Sequence, residues 1–424
     1  MRTEGLRIGD AGVGPVPDPG RPRGSPLRRF VVIGILTIAL LIFPGADLSR
    51  AQEPNSVESI ERQIDSSLAE GADQQAAAGL EALLARPQLD SNLLLRVGIA
   101  FAQKGLYSEA SRTFARVVRD RPALFEGHYN LALAELAEGR LQPAFEAIDR
   151  APHASGEDSA ARLYLRGKIE AALGKGAQAE RDLWAAFAQR PAEENYALDL
   201  GLLYLRAHNY AKSERVFEKG SQLNPRSPYL LLGLALAQFL GGRTSQSADS
   251  SRRLLAGDPD FSSARLLLGF TLYFDGNLDE ARRVALNGLA LPDPNPYLHY
   301  LDAAILLKQH SGEYMRILSD LAAAEKSMPA CALCYVASGK AREAQNDLTG
   351  AAADFRTAVR LAPSLSEGWY HLASVSDKMG QKTEAAQARQ HFQQMKANED
   401  EREKEMMRDV FLQSLGAEGS DTPR

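Results

Sequence analysis

Residues 91–124 read SNLLLRVGIAFAQKGLYSEASRTFARVVRDRPAL, and the spacing of their small and helix-breaking residues decides the fold. Gly98 falls in one helical stretch and Ala110 in a second, with Gly105 between them and Pro122 at the end. A small residue in each of two antiparallel helices lets the backbones cross closely, where a larger side chain would push them apart. Gly105 supplies the left-handed conformation that ends a helix. Pro122 cannot continue the second helix but suits the start of a new segment. The stretch predicts one helical hairpin.

The pattern repeats. The small residue of the second helix returns at Ala110, Ala144, Ala179, Ser213, Ser247 and Ala281, in steps of 34 or 35, and again at Ala351 and Ala385. The small residue of the first helix returns at Gly98, Ala132, Gly167, Gly201, Ala235, Gly269, Gly339 and Ala373. Closing prolines stand at Pro122, Pro191, Pro225, Pro259, Pro329 and Pro363, and turn glycines at Gly105, Gly139, Gly174, Gly242, Gly276, Gly312 and Gly380. His208 takes the turn-glycine place in its unit. The unit 298–331 fits worst, with Ile305 and Ile317 at the small positions. Three markers that share one period over some 300 residues identify a tandem array. Such an array grows by adding units, so a length of 424 residues does not translate into a domain count.

The unit 91–124, with Gly98, Phe101, Gly105, Tyr107, Ala110, Phe114 and Pro122, resembles the tetratricopeptide repeat family. Residues 194–227 (Gly201, Tyr204, Tyr210, Phe217, Pro225) and the unit from Ser366 (Trp369, Leu372, Ala373, Gly380, Ala385) carry the same signature. The resemblance implies an all-α fold, a right-handed superhelical α-solenoid of antiparallel helix hairpins. About nine units cover 91–395, after a degenerate hairpin or cap at 52–90. It also implies that the first helices line a concave face through unit positions 2, 5, 9, 12 and 13. At those positions stand Tyr129, Tyr164, Leu202, Tyr229, Leu232, Leu236, Phe239, Phe270, Tyr273 and Phe274, turning polar at Lys340, Glu343, Glu367 and Asp377. One reading makes this an apolar groove that takes an apolar or amphipathic partner segment. The other buries the same side chains by tight winding of the stack. The carboxylate clamp of some family members is absent: Asn130 fits one of its positions, but Leu95, Ile99, Ala161 and Leu165 occupy the others.

Composition excludes other classes. The chain is 45% hydrophobic and carries a net charge of −5, with no basic patch for nucleic acid. Phosphate loops, GxSxG elbows and HExxH pairs are missing, so no catalytic residue is assigned and no enzyme, metal or cofactor is expected. Cys331 and Cys334 form a CxxC without the strand a thioredoxin-like site needs. A local disulfide and two reduced packing thiols both remain open. Trp184 and Trp369 are read as core.

The ends carry an address and a tail. Arg28 and Arg29 precede Phe30–Phe43, FVVIGILTIALLIF, fourteen residues without charge, followed by Pro44, Gly45 and Ser49-Arg50-Ala51. That order is a secretory signal with a long n-region, 1–51, cleaved after Ala51, which places the protein in the periplasm or outside the cell. As a helix, fourteen residues rise only about 21 Å, short of the hydrocarbon core of roughly 30 Å. An uncleaved anchor is the alternative, and it alone would bring the protein to a membrane, as a tethered assembly factor. Residues 396–424 predict a charged helix and a disordered tail. In it Met407, Val410, Phe411 and Leu415 form a narrow apolar stripe, read as a cap on the last hairpin, with docking to a partner as the alternative. The whole suggests a non-catalytic scaffold or adaptor of the cell envelope whose partners are proteins or peptides.

Overall fold

The computed structural model describes residues 56–152, 156–395, 408, 409, 411, 412 and 415. The expected signal sequence and its expected cleavage site lie outside these residues, as does most of the tail. Twenty helices follow one another, and no strand occurs among the described residues. They pair into ten hairpins. The first is α1 (Val57–Glu70) with α2 (Asp73–Leu84), and the second α3 (Ser91–Gln103) with α4 (Tyr107–Asp120). Then come α5 (Phe125–Ala137) with α6 (Leu141–Asp149), α7 (Glu157–Ala172) with α8 (Gly176–Gln189), and α9 (Glu194–Arg206) with α10 (Tyr210–Leu223). The sixth to eighth are α11 (Pro228–Leu240) with α12 (Thr244–Gly257), α13 (Ser262–Phe274) with α14 (Leu278–Leu289), and α15 (Tyr297–Lys308) with α16 (Tyr314–Ser327). The last two are α17 (Ala332–Ala344) with α18 (Leu348–Leu361), and α19 (Ser366–Lys378) with α20 (Lys382–Met395).

Local chemistry sets the boundaries. Ser227 caps α11 by accepting from the Leu230 N–H at 3.2 Å, and Pro228 occupies the first turn, where its missing N–H costs nothing. All seven predicted turn glycines have positive φ. His208 follows them with φ +55°, a conformation that costs a non-glycine residue roughly 1–2 kcal/mol. His310 and Asn346 do the same in later turns.

The small-residue markers prove to be packing slots. Every one in the second helices, from Ala110 to Ala385, is wholly buried. In the first helices Gly98, Gly201 and Gly339 each receive the ring sixteen residues on, while Gly167 meets Leu183 and Gly269 meets Leu301. A methyl group on Gly98 would come within 2.5 Å of Phe114, and one on Gly339 within 2.5 Å of Phe355. Phe217 is held from two sides, by Gly201 of its own hairpin and Gly233 of the next. The poorly matching unit forms its hairpin too, with Ile305 and Ile317 fully buried. Beside them lies a polar knot absent from the sequence reading: the buried Asp302 carboxylate accepts from Arg282 and Arg316, both at 3.1 Å. The two ion pairs offset the desolvation of a carboxylate that would be costly alone.

Each hairpin packs on the next, and every first helix also touches the following first helix. Among second helices only α2 and α4 do so to a similar degree. In a curved stack the inner ring is the shorter path, so the first helices form the inner face and the second helices the outer one. The fold is an α-solenoid.

Two expectations are corrected. Trp184 is not core: it lies on α8, 51% exposed, tilted against Phe187. Second helices keep one side for solvent even where the residue is aromatic. The apolar tail stripe does not simply cap the last hairpin. Arg408 sits against His208, in the turn of the fifth hairpin, with Nη1 2.7 Å from Nε2. Trp369 is half-buried, its indole N–H donating to the Pro363 carbonyl at 2.8 Å, its ring stacked on His391.

Candidate functional site

The inner face begins at α3, α5 and α7. Leu95 and Ile99 on α3, Tyr129, Leu133 and Leu136 on α5, and Tyr164 on α7 are half-buried. Helix geometry places them in line. Residues three and four apart share a face, and the face turned toward neither neighbouring helix is the inner one. Phe125 packs on Tyr129 with ring centroids 5.6 Å apart. Burial of its ring pushes the Tyr129 phenol up to about 12, so it stays protonated at any physiological pH.

Tyr164 anchors the one polar spot of this surface. Its hydroxyl donates to Asp199 at 2.5 Å, and Lys168 reaches the same carboxylate at 3.0 Å. Its ring stacks on Tyr196 with centroids 4.3 Å apart. Burial, and then the Asp199 charge, hold its phenol well above the usual value. The result is a fixed carboxylate between a phenol and an ammonium, set in an apolar surround. Lys168 stands at unit position 9, so the family pattern could have found it. Asp199 faces the cluster from a position the pattern does not assign.

The middle of the face is different. Five predicted groove residues, Leu202, Leu232, Leu236, Phe239 and Phe270, are buried, none more than 2% exposed. They are core side chains and not an open lining, packed among the adjoining helices. Phe239 packs on Phe274 at 5.6 Å and Phe270 on Tyr300 at 6.2 Å. Tyr229, Tyr273 and Phe274 are half-buried at the margin, where Tyr229 meets Phe261 and Lys308 lies over Tyr273. The candidates that are not buried are thus Tyr129 and Tyr164, joined by Leu95, Ile99, Leu133 and Leu136, and at the margin Tyr229, Tyr273 and Phe274. Toward the C-terminus the inner positions pair with one another: Lys340 with Glu367 at 2.8 Å, and Glu343 with Lys378 at 2.7 Å and His371 at 3.1 Å.

Cys331 and Cys334 are joined in a disulfide at the start of α17. Among the described residues no group of three or more His, Cys, Asp or Glu side chains is placed to hold a metal, and no helix is long and apolar enough to cross a membrane.

A tetratricopeptide repeat family model matches residues 95–160 and 198–260. Human tetratricopeptide repeat protein 13 is 26% identical over 188 residues, 42% of this chain and 21% of that protein. The chain therefore spans about a fifth of the length of that curated relative. Among solved structures, a tetratricopeptide repeat protein from Parabacteroides merdae shares 21% identity at a TM-score of 0.44, covering 59% of this chain and 98% of that one. The Cut9–Hcn1 APC/C hetero-tetramer shares 12% identity at a TM-score of 0.38, covering 86% of this chain and 94% of that one. The matched units carry the glycine slots, left-handed turns and inner ring of first helices described above. The chain thus carries tetratricopeptide repeats in residues 95–160 and 198–260, on a helical solenoid.

Proposed function

We propose that this scaffold captures an apolar or amphipathic segment of a partner protein along the inner face of α3, α5 and α7, as an adaptor of the cell envelope. The observation that supports the site is the row of half-buried Leu95, Ile99, Tyr129, Leu133, Leu136 and Tyr164 along the inner side of successive first helices. Apolar surface that a fold leaves accessible in one continuous strip is what partner helices and strands bury. The Asp199–Lys168–Tyr164 cluster gives the strip a fixed polar point, which favours a segment carrying one hydrogen-bonding or charged group among apolar ones.

The envelope setting follows from the signal-like order of residues 28–51. The Cys331–Cys334 disulfide agrees with it, since such bonds persist in oxidising compartments. A photo-crosslinking residue in place of Leu133, in the native host, tests the site. A discrete adduct that disappears when Tyr129→Asp is added supports it; no adduct at Leu133, Leu136 or Ile99 overturns it. Amino-terminal sequencing of the mature protein tests the setting. A start at Gln52 supports release; retention of Phe30–Phe43 indicates a membrane-tethered form, and a cytosolic pool alone overturns export.

A further inference from the structure

We infer that the C-terminal segment Arg408–Leu415 is an intramolecular ligand: it lies on the middle of the inner face and keeps that part of the scaffold closed to other segments. Three observations carry this.

Helix α11 is buried all round. Every residue from Leu230 to Leu240 is buried. A first helix in a hairpin stack has neighbours on three sides, namely the first helices before and after it and the second helices beneath. Its inner side is left to solvent. In α11 that side is covered as well, although among the described helices only those of its own and the adjoining hairpins pack closely on it.

The tail is at the right place. Arg408 Nη1 lies 2.7 Å from His208 Nε2. The Tyr210 hydroxyl, 3.1 Å from His208 Nδ1, also bonds to Arg408. His208 closes α9, the first helix immediately before α11. Phe411 and Leu415 are fully buried and belong to the same continuous core as Leu232, Leu236, Phe239 and Phe270, with Leu412 packed against it. Residues 408, 411 and 415 are helical and fall on one face, so the tail presents a cation followed by two apolar anchors.

The receiving residue departs from the commonest choice at its position. In seven turns a glycine takes the left-handed conformation; here a histidine does, as His310 and Asn346 do in later turns, at a backbone cost. Glycine would relieve the backbone but could not accept from Arg408.

The tail is therefore a tethered competitor. Tethering gives it an effective concentration of the order of millimolar, so a free segment of the same chemistry is weakened by the ratio of that concentration to its own Kd. A peptide of residues 404–418 reads this directly. Against the full-length chain carrying Phe411→Asp and Leu415→Asp it binds one to one and saturably. Against the unaltered chain it binds roughly 10- to 100-fold more weakly. His208→Gly, added to the double variant, weakens the peptide again while thermal stability is kept or raised. The Arg408→Ala variant alone, which weakens the tail and leaves the receiving face intact, serves if the double variant misfolds: it should bind the peptide more tightly than the unaltered chain does. Equal peptide binding by all forms overturns the inference, as does a concentration-dependent dimer of the unaltered chain that exchanges tails between copies. Crosslinking at Leu133 reads the partner site separately, so either reading can fail alone.

Discussion

Helices α3 and α5 and helices α11 and α13 carry the same kinds of residue at the same positions of the repeat, yet they meet different surroundings. In the first pair Leu95, Ile99, Leu133 and Leu136 stay half-buried; in the second Leu232, Leu236, Phe239, Leu266 and Phe270 are closed off. Repeat position sets which side of the stack a residue faces. Whether that side is surface or core depends on what else the chain lays over it. The same apolar leucine is thus a candidate contact at Leu133 and a structural element at Leu236.

Four substitutions probe this difference. Phe239→Asp puts a carboxylate among Phe274, Leu236 and Leu240 with no partner, and should cost about 4 kcal/mol or more. Urea unfolding should show the central hairpins lost, with helical circular dichroism reduced. Gly201→Ala drives a methyl group into the Phe217 ring, which Gly233 holds from the other side, and should cost about 1–3 kcal/mol by the same measurement. Tyr164→Phe removes the hydroxyl that donates to Asp199 and leaves Lys168 as its remaining partner. The loss should be about 1–2 kcal/mol in thermal unfolding, with Asp199 more open to solvent. Leu133→Asp meets the open face and should change stability by less than about 1 kcal/mol, while it abolishes the adduct formed by a photo-crosslinking residue at Leu136. A large stability loss there would erase the distinction between the two regions.

The array was legible because its markers are local. Gly98, Ala110 and Gly105 act within one hairpin, and a 34-residue period shows them again wherever the hairpin recurs. Even the unit with Ile305 and Ile317 formed, since neighbouring units fix its helices and two isoleucines fill the space a glycine slot leaves elsewhere. The inner face was half legible. The family positions picked residues on the right side of the first helices, but five of ten proved buried. Their burial arises from contacts between hairpins, such as Phe239 with Phe274 and Phe270 with Tyr300, which no periodicity reports. Asp199 escaped notice for a related reason: its role arises from Tyr164 and Lys168 in the preceding hairpin. Trp184 was misjudged because a preference of tryptophan for cores was applied to an outer helix, where position outweighs residue type.

The most direct test of the divided inner face is thiol labelling of two single-cysteine variants under native conditions, Leu133→Cys and Leu236→Cys, with Cys331 and Cys334 held in their disulfide. A thiol at position 133 should react at close to the rate of an exposed cysteine. One at position 236 should react at least about tenfold more slowly, limited by local opening of the fold. Equal rates at the two positions would contradict the account.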